Sequence, residues 1–153
     1  MKQLFLILTI VAFLFTGCDN DSSSGNGNSS GNVTLKYEIE STSAFTPAFI
    51  NGVQFFPPLN VTYINETGQQ QSEQINTNTS TWSKTIQLTA SQRPIGILFN
   101  ATAYTTNASG TGIVRIYMNG VLKASQNIQI TNFSTGFTGA AGTFTGFINY
   151  PLY

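Results

Sequence analysis

Between Val33 and Glu40 apolar and polar residues alternate without a break, with Val33, Leu35, Tyr37 and Ile39 set against Thr34, Lys36, Glu38 and Glu40. A period of two over this length sends one set of side chains to each face of an extended strand, and no helix accommodates it. The same reading extends down the chain. Leu59 to Ile64 carries Val61 and Tyr63 on one face and closes at Asn65-Glu66-Thr67-Gly68, a turn-forming tetrapeptide. Gln69 to Ile75 is polar and returns as a solvent-facing or edge strand. Trp82, Lys84, Ile86 and Leu88 alternate with Ser83, Thr85 and Gln87, and Ile97 to Tyr104 is rich in β-formers.

Turn chemistry strengthens the pattern. Asn119-Gly120 lies inside the β-rich run from Ile113 to Gln126, and Asn-Gly readily takes the two positive φ values of a type I′ turn, so this segment predicts a hairpin. Asn51-Gly52 predicts another, ended by Pro57-Pro58 because proline cannot donate to a ladder. Ile128 to Ile130 and Thr143 to Ile148 predict the last strands, separated by a loop of Gly, Thr and Ala. With no helix of any length visible, the expectation is an all-β chain, folded as an antiparallel immunoglobulin-like β-sandwich of about seven to nine strands over 33–153.

The N-terminal segment has a different grammar. Lys2 is followed by an apolar run from Leu4 to Phe15, then Thr16-Gly17 and Cys18, the only cysteine in the chain. The apolar run makes about 18 Å of helix at 1.5 Å per residue, against the roughly 30 Å of a bilayer core, which favours cleavage over spanning. Residues 1–17 therefore read as a signal peptide, with Cys18 as the lipidation site. The pattern resembles bacterial lipoprotein signals, and that resemblance implies a thioether-linked diacylglycerol on Cys18, acylation by fatty acid such as palmitate, and a membrane-anchored place in the bacterial cell envelope, on its periplasmic or surface face. From Asp19 to Asn32 the chain is DNDSSSGNGNSSGN, with no apolar residue. Residues 18–32 thus form the lipidated cysteine and a flexible tether, with a root-mean-square reach of about 20 Å.

Composition removes several functions. Six Lys or Arg balance six Asp or Glu, with no basic cluster to neutralise phosphates, so no nucleic-acid partner is expected. The chain has no histidine, the commonest general base and the commonest transition-metal ligand. No metal, cofactor or catalytic residue is expected, and the chain reads as a non-enzyme. One carboxylate pair, Glu38 and Glu40 on the polar face of the first strand, has the spacing of a glycosidase pair. Neighbours on one open strand face are similarly solvated, however, and hydrolysis needs their pKa values pushed apart. Asn-x-Thr triplets such as Asn60-Val61-Thr62 are chance products of a chain rich in Asn and Thr.

Phe45, Phe49, Phe55 and Phe56 crowd one segment between Pro47 and Pro57-Pro58, more apolar surface than a loop carries. They form either a contact patch or a satellite core over one open end of the sandwich. Trp82 is expected in the core, and Tyr150, Leu152 and Tyr153 are expected to pair with the sheet.

The ordered segments Val33-x-Leu35-x-Tyr37-x-Ile39, then Tyr63, Asn65 and Gly68, then Trp82-Ser83-Lys84, and finally Ile116-x-Met118-Asn119-Gly120, together resemble the MmpS-type accessory proteins of RND-family transporters and their lipoprotein relatives. The match runs from about Val33 to Gln126. It implies a β-sandwich exposed on the far side of a membrane and an envelope protein as partner. The leading expectation is a non-enzymatic, lipid-anchored interaction or accessory module. The alternative is a surface glycan-binding or adhesion module that uses exposed aromatic rings as stacking platforms.

Overall fold

The computed structural model describes residues 31–76, 78–132 and 136–151. Cys18, the leader and all but the end of the tether lie outside the described residues, as do Leu152 and Tyr153. In chain order the strands are β1 (Val33–Ser41), β2 (Ala48–Ile50), β3 (Val53–Phe56), β4 (Leu59–Ile64), β5 (Gln70–Ile75), β6 (Thr81–Leu88), β7 (Gly96–Thr105), β8 (Gly110–Met118), β9 (Val121–Asn132) and β10 (Gly142–Pro151). A single 3₁₀ turn at Ala90–Gln92 is the only helical element among the described residues. The fold is an all-β antiparallel sandwich, immunoglobulin-like in its layering.

Eight strands form one curled sheet in the order β5-β4-β7-β10-β9-β8-β1-β6, and β2 and β3 form a separate hairpin. The curl turns on β9. Along most of its length β9 pairs with β8, and near its end Thr131 and Asn132 pair with Thr143 and Gly142 of β10. A bulge at Ile116 and Tyr117 adds local twist where the β8–β9 pair begins. Beyond Thr143 the two strands diverge, and the Gln126 side-chain oxygen accepts the Phe147 backbone N–H at 2.7 Å across the seam. Ile128 to Ile130, expected as a strand of its own, is thus the continuation of the hairpin strand, because a 12-residue β9 is needed to serve both layers.

The alternation read in β1 is the alternation of the core. Leu35, Tyr37 and Ile39 are fully buried and face Val61, Tyr63 and Phe99 of the other layer within one cluster. Tyr37 packs 5.3 Å, ring to ring, from both Tyr63 and Phe99, and its hydroxyl donates to the Ile64 carbonyl at 3.1 Å, so the buried phenol stays hydrogen-bonded. Trp82 is half-buried rather than central, lying along the rim with its ring 6.2 Å from Phe99. Both Asn-Gly turns take the expected conformation, with φ of 49° and 80° at Asn51-Gly52 and 51° and 80° at Asn119-Gly120.

The outer strands β5 and β6 leave two sheet edges, which face one another across the opening between the layers. Lys84 of β6 approaches Glu73 of β5 at 3.4 Å, and Gln71 and the Tyr63 hydroxyl donate to the same Glu73 oxygen. Burial, and then the bond to Glu73, push the Tyr63 phenol well above its ordinary value. Inward-pointing polar groups of this kind discourage edge-to-edge pairing with another chain.

Gly146 shows how tightly the layers meet. A Cβ there would lie 2.6 Å from the Ile128 side chain and 2.7 Å from Val114. Gly146→Ala should therefore lower stability by about 1–3 kcal/mol through overpacking, measured as a shifted urea midpoint with unchanged slope. An unshifted midpoint would show that the layers have room to spare.

Candidate functional site

The described residues include no group of three or more His, Cys, Asp and Glu side chains able to hold a metal ion. They also include no helix long and apolar enough to cross a membrane. The candidate side chains named from the sequence fall into two constellations, one on a layer's outer face and one at an end of the sandwich.

On the outer face of β1 and β8, antiparallel register sets Arg115 opposite Glu38 and Tyr117 opposite Lys36. Arg115 donates to Glu38 at 2.7 Å and to Glu40 at 2.9 Å, and Lys36 donates to Glu38 at 2.5 Å. Lys36 also lies 5.3 Å from the centre of the Tyr117 ring. Burial alone would raise the Glu38 carboxyl, but the hydrogen bonds from Lys36 and Arg115 outweigh it and hold the carboxyl below its usual range. A general acid needs the opposite displacement. The pair is locked by one guanidinium, beside a shallow hollow of about 520 Å³ lined by Glu38, Glu40, Thr81, Trp82 and Ser83. Its geometry is that of a surface ion network.

The aromatic segment divides. Phe45 is fully buried: its backbone bridges Thr105 and its ring packs 6.4 Å from Phe144 in the main core. That corrects its assignment to an exposed patch, and the reason is topological. The chain leaving β1 crosses the end of the sandwich before it reaches β2, and the backbone N–H of Phe45 bonds to Thr79 while that of Thr46 bonds to Tyr104, drawing the side chain inward. Phe49 is half-buried on β2, and its backbone exchanges two hydrogen bonds with Thr138.

Phe55 and Phe56 lie together on β3, with ring centroids 4.9 Å apart in an edge-on arrangement. Phe56 stacks on Tyr104 at 4.8 Å and 14°, and Phe137 stands 5.4 Å from Phe56 and 5.8 Å from Phe55. With Ala48 and Ala140 this forms a small second core beneath the hairpin. Its outer side stays open, Val53 at 68% and Phe55 at 59% exposure. One segment thus supplies both a satellite core and an exposed apolar tip. Sequence reasoning did not identify Tyr104, Phe137 or Val53. Tyr104 reads as one more residue of a strand, and Phe137 belongs to a loop whose partner is more than 80 residues upstream.

Position is what distinguishes this tip. The tether enters at Val33, next to Thr34, whose backbone bonds to Asn119, and Arg93 donates to the Gly31 carbonyl nearby. The hairpin sits beyond the other end of β1. Nine residues of β1 at about 3.3 Å each separate the two ends by roughly 30 Å.

The ion network carries a pH signature. Its contribution is complete above the ordinary glutamate value of about 4.3 and is lost as pH falls through the depressed folded value of Glu38. Glu38→Gln should cost up to about 1 kcal/mol at neutral pH and measurably less at an acid pH below the ordinary glutamate value of about 4.3. Urea unfolding at both pH values checks this, and equal costs at the two would show that the carboxylate charge contributes nothing.

No protein-family model matches the chain, and no curated protein matches it either.

Proposed function

We propose that this protein is a lipid-anchored lipoprotein of the bacterial cell envelope whose β-sandwich acts by contact, without chemical transformation, presenting the β2–β3 tip to an envelope protein. The observation that carries this reading is the opposition of the two ends: the tether enters at Val33, and the exposed side chains of Val53 and Phe55 lie at the far end of β1. An anchor at Cys18 would direct that tip away from the lipid surface. Two acyl chains suffice for stable attachment, at about 0.8 kcal/mol per buried CH₂, where a single chain is marginal. The order of segments resembling MmpS-type accessory proteins supports an accessory role, with a membrane protein as the natural partner. The carboxylates of Glu38 and Glu40, bound to one arginine, supply no general acid that would favour an enzyme.

Membrane fractionation of cells expressing the full chain tests the anchor. Cys18→Ser should move the protein from the membrane to the soluble fraction or stop its maturation, whereas full retention in membranes would overturn the lipid anchor. A photo-cross-linker at Phe55 should capture an envelope protein that a cross-linker at Ile95, at the tether end, does not. Equal capture at both positions would remove the directional role of the tip.

A further inference from the structure

The two outer faces of the sandwich differ in charge. Lys36, Glu38, Glu40 and Arg115 all point outward from β1 and β8. On the opposite layer, β5, β4, β7 and β10 carry no outward charged side chain among the described residues, and their one ionisable carboxylate, Glu73, points inward. Alternation places Thr62 of β4, Asn100 and Thr102 of β7, and Thr145, Phe147 and Asn149 of β10 on this neutral face.

Register brings these side chains into rows. Thr62 and Phe147 are the cross-strand partners of Asn100 on its two sides, and Thr102 pairs with Thr145. The hydroxyls of Thr102 and Thr145 are 3.2 Å apart, and those of Thr62 and Ser72 are 2.8 Å apart. A hydroxyl has one proton and two lone pairs, so each pair keeps acceptor capacity toward an incoming O–H. The Asn100 amide oxygen is buried with no hydrogen-bond partner among the described residues, so it lies beneath the face and the exposed hydroxyls around it are what a ligand meets. Beside it Phe147 is 52% exposed, a large apolar ring on the outward side of β10.

We infer that this face is a binding platform for a neutral polysaccharide, with the Phe147 ring stacked on a sugar and the Thr, Ser and Asn rows hydrogen-bonded to its hydroxyls. A sugar ring offers C–H groups on its face and hydroxyls around its edge, which is the complement of one phenyl ring set among uncharged hydroxyl and amide groups. The absence of outward charge selects against anionic glycans, which need cations to bind. A protein partner fits less well: protein hot spots are rich in Trp, Tyr and Arg gathered in desolvated pockets, and this face offers one phenylalanine and no arginine. The platform adds a ligand class to the contact reading, at a surface separate from the β2–β3 tip, and it does not depend on Cys18.

Affinity electrophoresis of the full chain in mild detergent, through native gels containing hydroxyethyl cellulose, mixed-linkage β-glucan, galactomannan or dextran, tests the platform. Retardation is expected in at least one of the four, insensitive to salt, with Phe147→Ala about tenfold weaker and Phe55→Ala unchanged. Should Phe147→Ala lower the melting temperature, the exposed Thr145→Asp serves instead, placing a charge in the row with the same expected loss. The inference is overturned by free migration in all four gels, or by retardation that salt abolishes or that Phe147→Ala or its substitute leaves intact. A cross-linker at position 147 that captures a protein, with no retardation by glycan, likewise overturns it. None of these outcomes bears on fractionation of Cys18→Ser, so the anchor and the platform fail separately.

Discussion

Everything in this fold depends on the aromatic contact across the middle of the sandwich, where Tyr37 of one layer packs between Tyr63 and Phe99 of the other. One sheet can become two layers only if its inner face is apolar enough to close on itself, and these rings supply a large share of that area. The hydroxyl of Tyr37 is satisfied by the Ile64 carbonyl, so the contact leaves no orphaned polar group. Once the layers are pressed together, β9 must serve both, since it pairs with β8 along most of its length and with β10 at its end. The remaining edges, β5 and β6, are brought into proximity and bridged by Glu73 and Lys84. This ion pair thus depends on the core packing, and by pointing charge inward it keeps either edge from recruiting another strand.

A closed core of this kind leaves function to the surfaces, and the charges are not spread evenly over them. One outer face bears a linked network of two cations and two carboxylates; the other, among the described residues of its strands, bears only hydroxyl, amide and apolar groups. The β2–β3 hairpin adds a third kind of surface at the end opposite the tether. It is fastened by the stack of Phe56 on Tyr104 and by Phe137, while Phe55 and Val53 stay in solvent. A hairpin of two short strands is marginal alone, so this small core is what keeps the exposed tip in place. One continuous sheet and the hairpin packed on it hold these three surfaces, and the anchor proposed at Cys18 would join them through a polar tether.

Much of this architecture is legible one strand at a time. The bounds of β1, β4 and β6 follow from alternation, and Asn51-Gly52 and Asn119-Gly120 announce their hairpins because the positive φ they require is a property of those two residues. Other features are not local. Phe45 and Phe55 stand in the same aromatic segment, yet one is wholly buried and the other mostly exposed. The difference lies in the crossing of the chain over the end of the sandwich. Trp82 alternates as a core residue should, and is only half-buried because β6 proves to be an edge strand. Glu38 and Glu40 sit two apart on a strand in any reading, but that Arg115 lies between them is set by the β1–β8 register.

By itself the sequence determined most of the strands and the turns, because each depends on residues within a few positions of one another. Tertiary structure alone decided which face of each strand meets the other layer's neighbours, which aromatic rings stay in solvent, and that one outer face is charged while the other is neutral. Those outcomes depend on pairings between residues far apart in the chain, such as Asn100 with Phe147 and Phe56 with Tyr104. Period-two alternation states that a residue has a face; only the packed sheet states what that face meets.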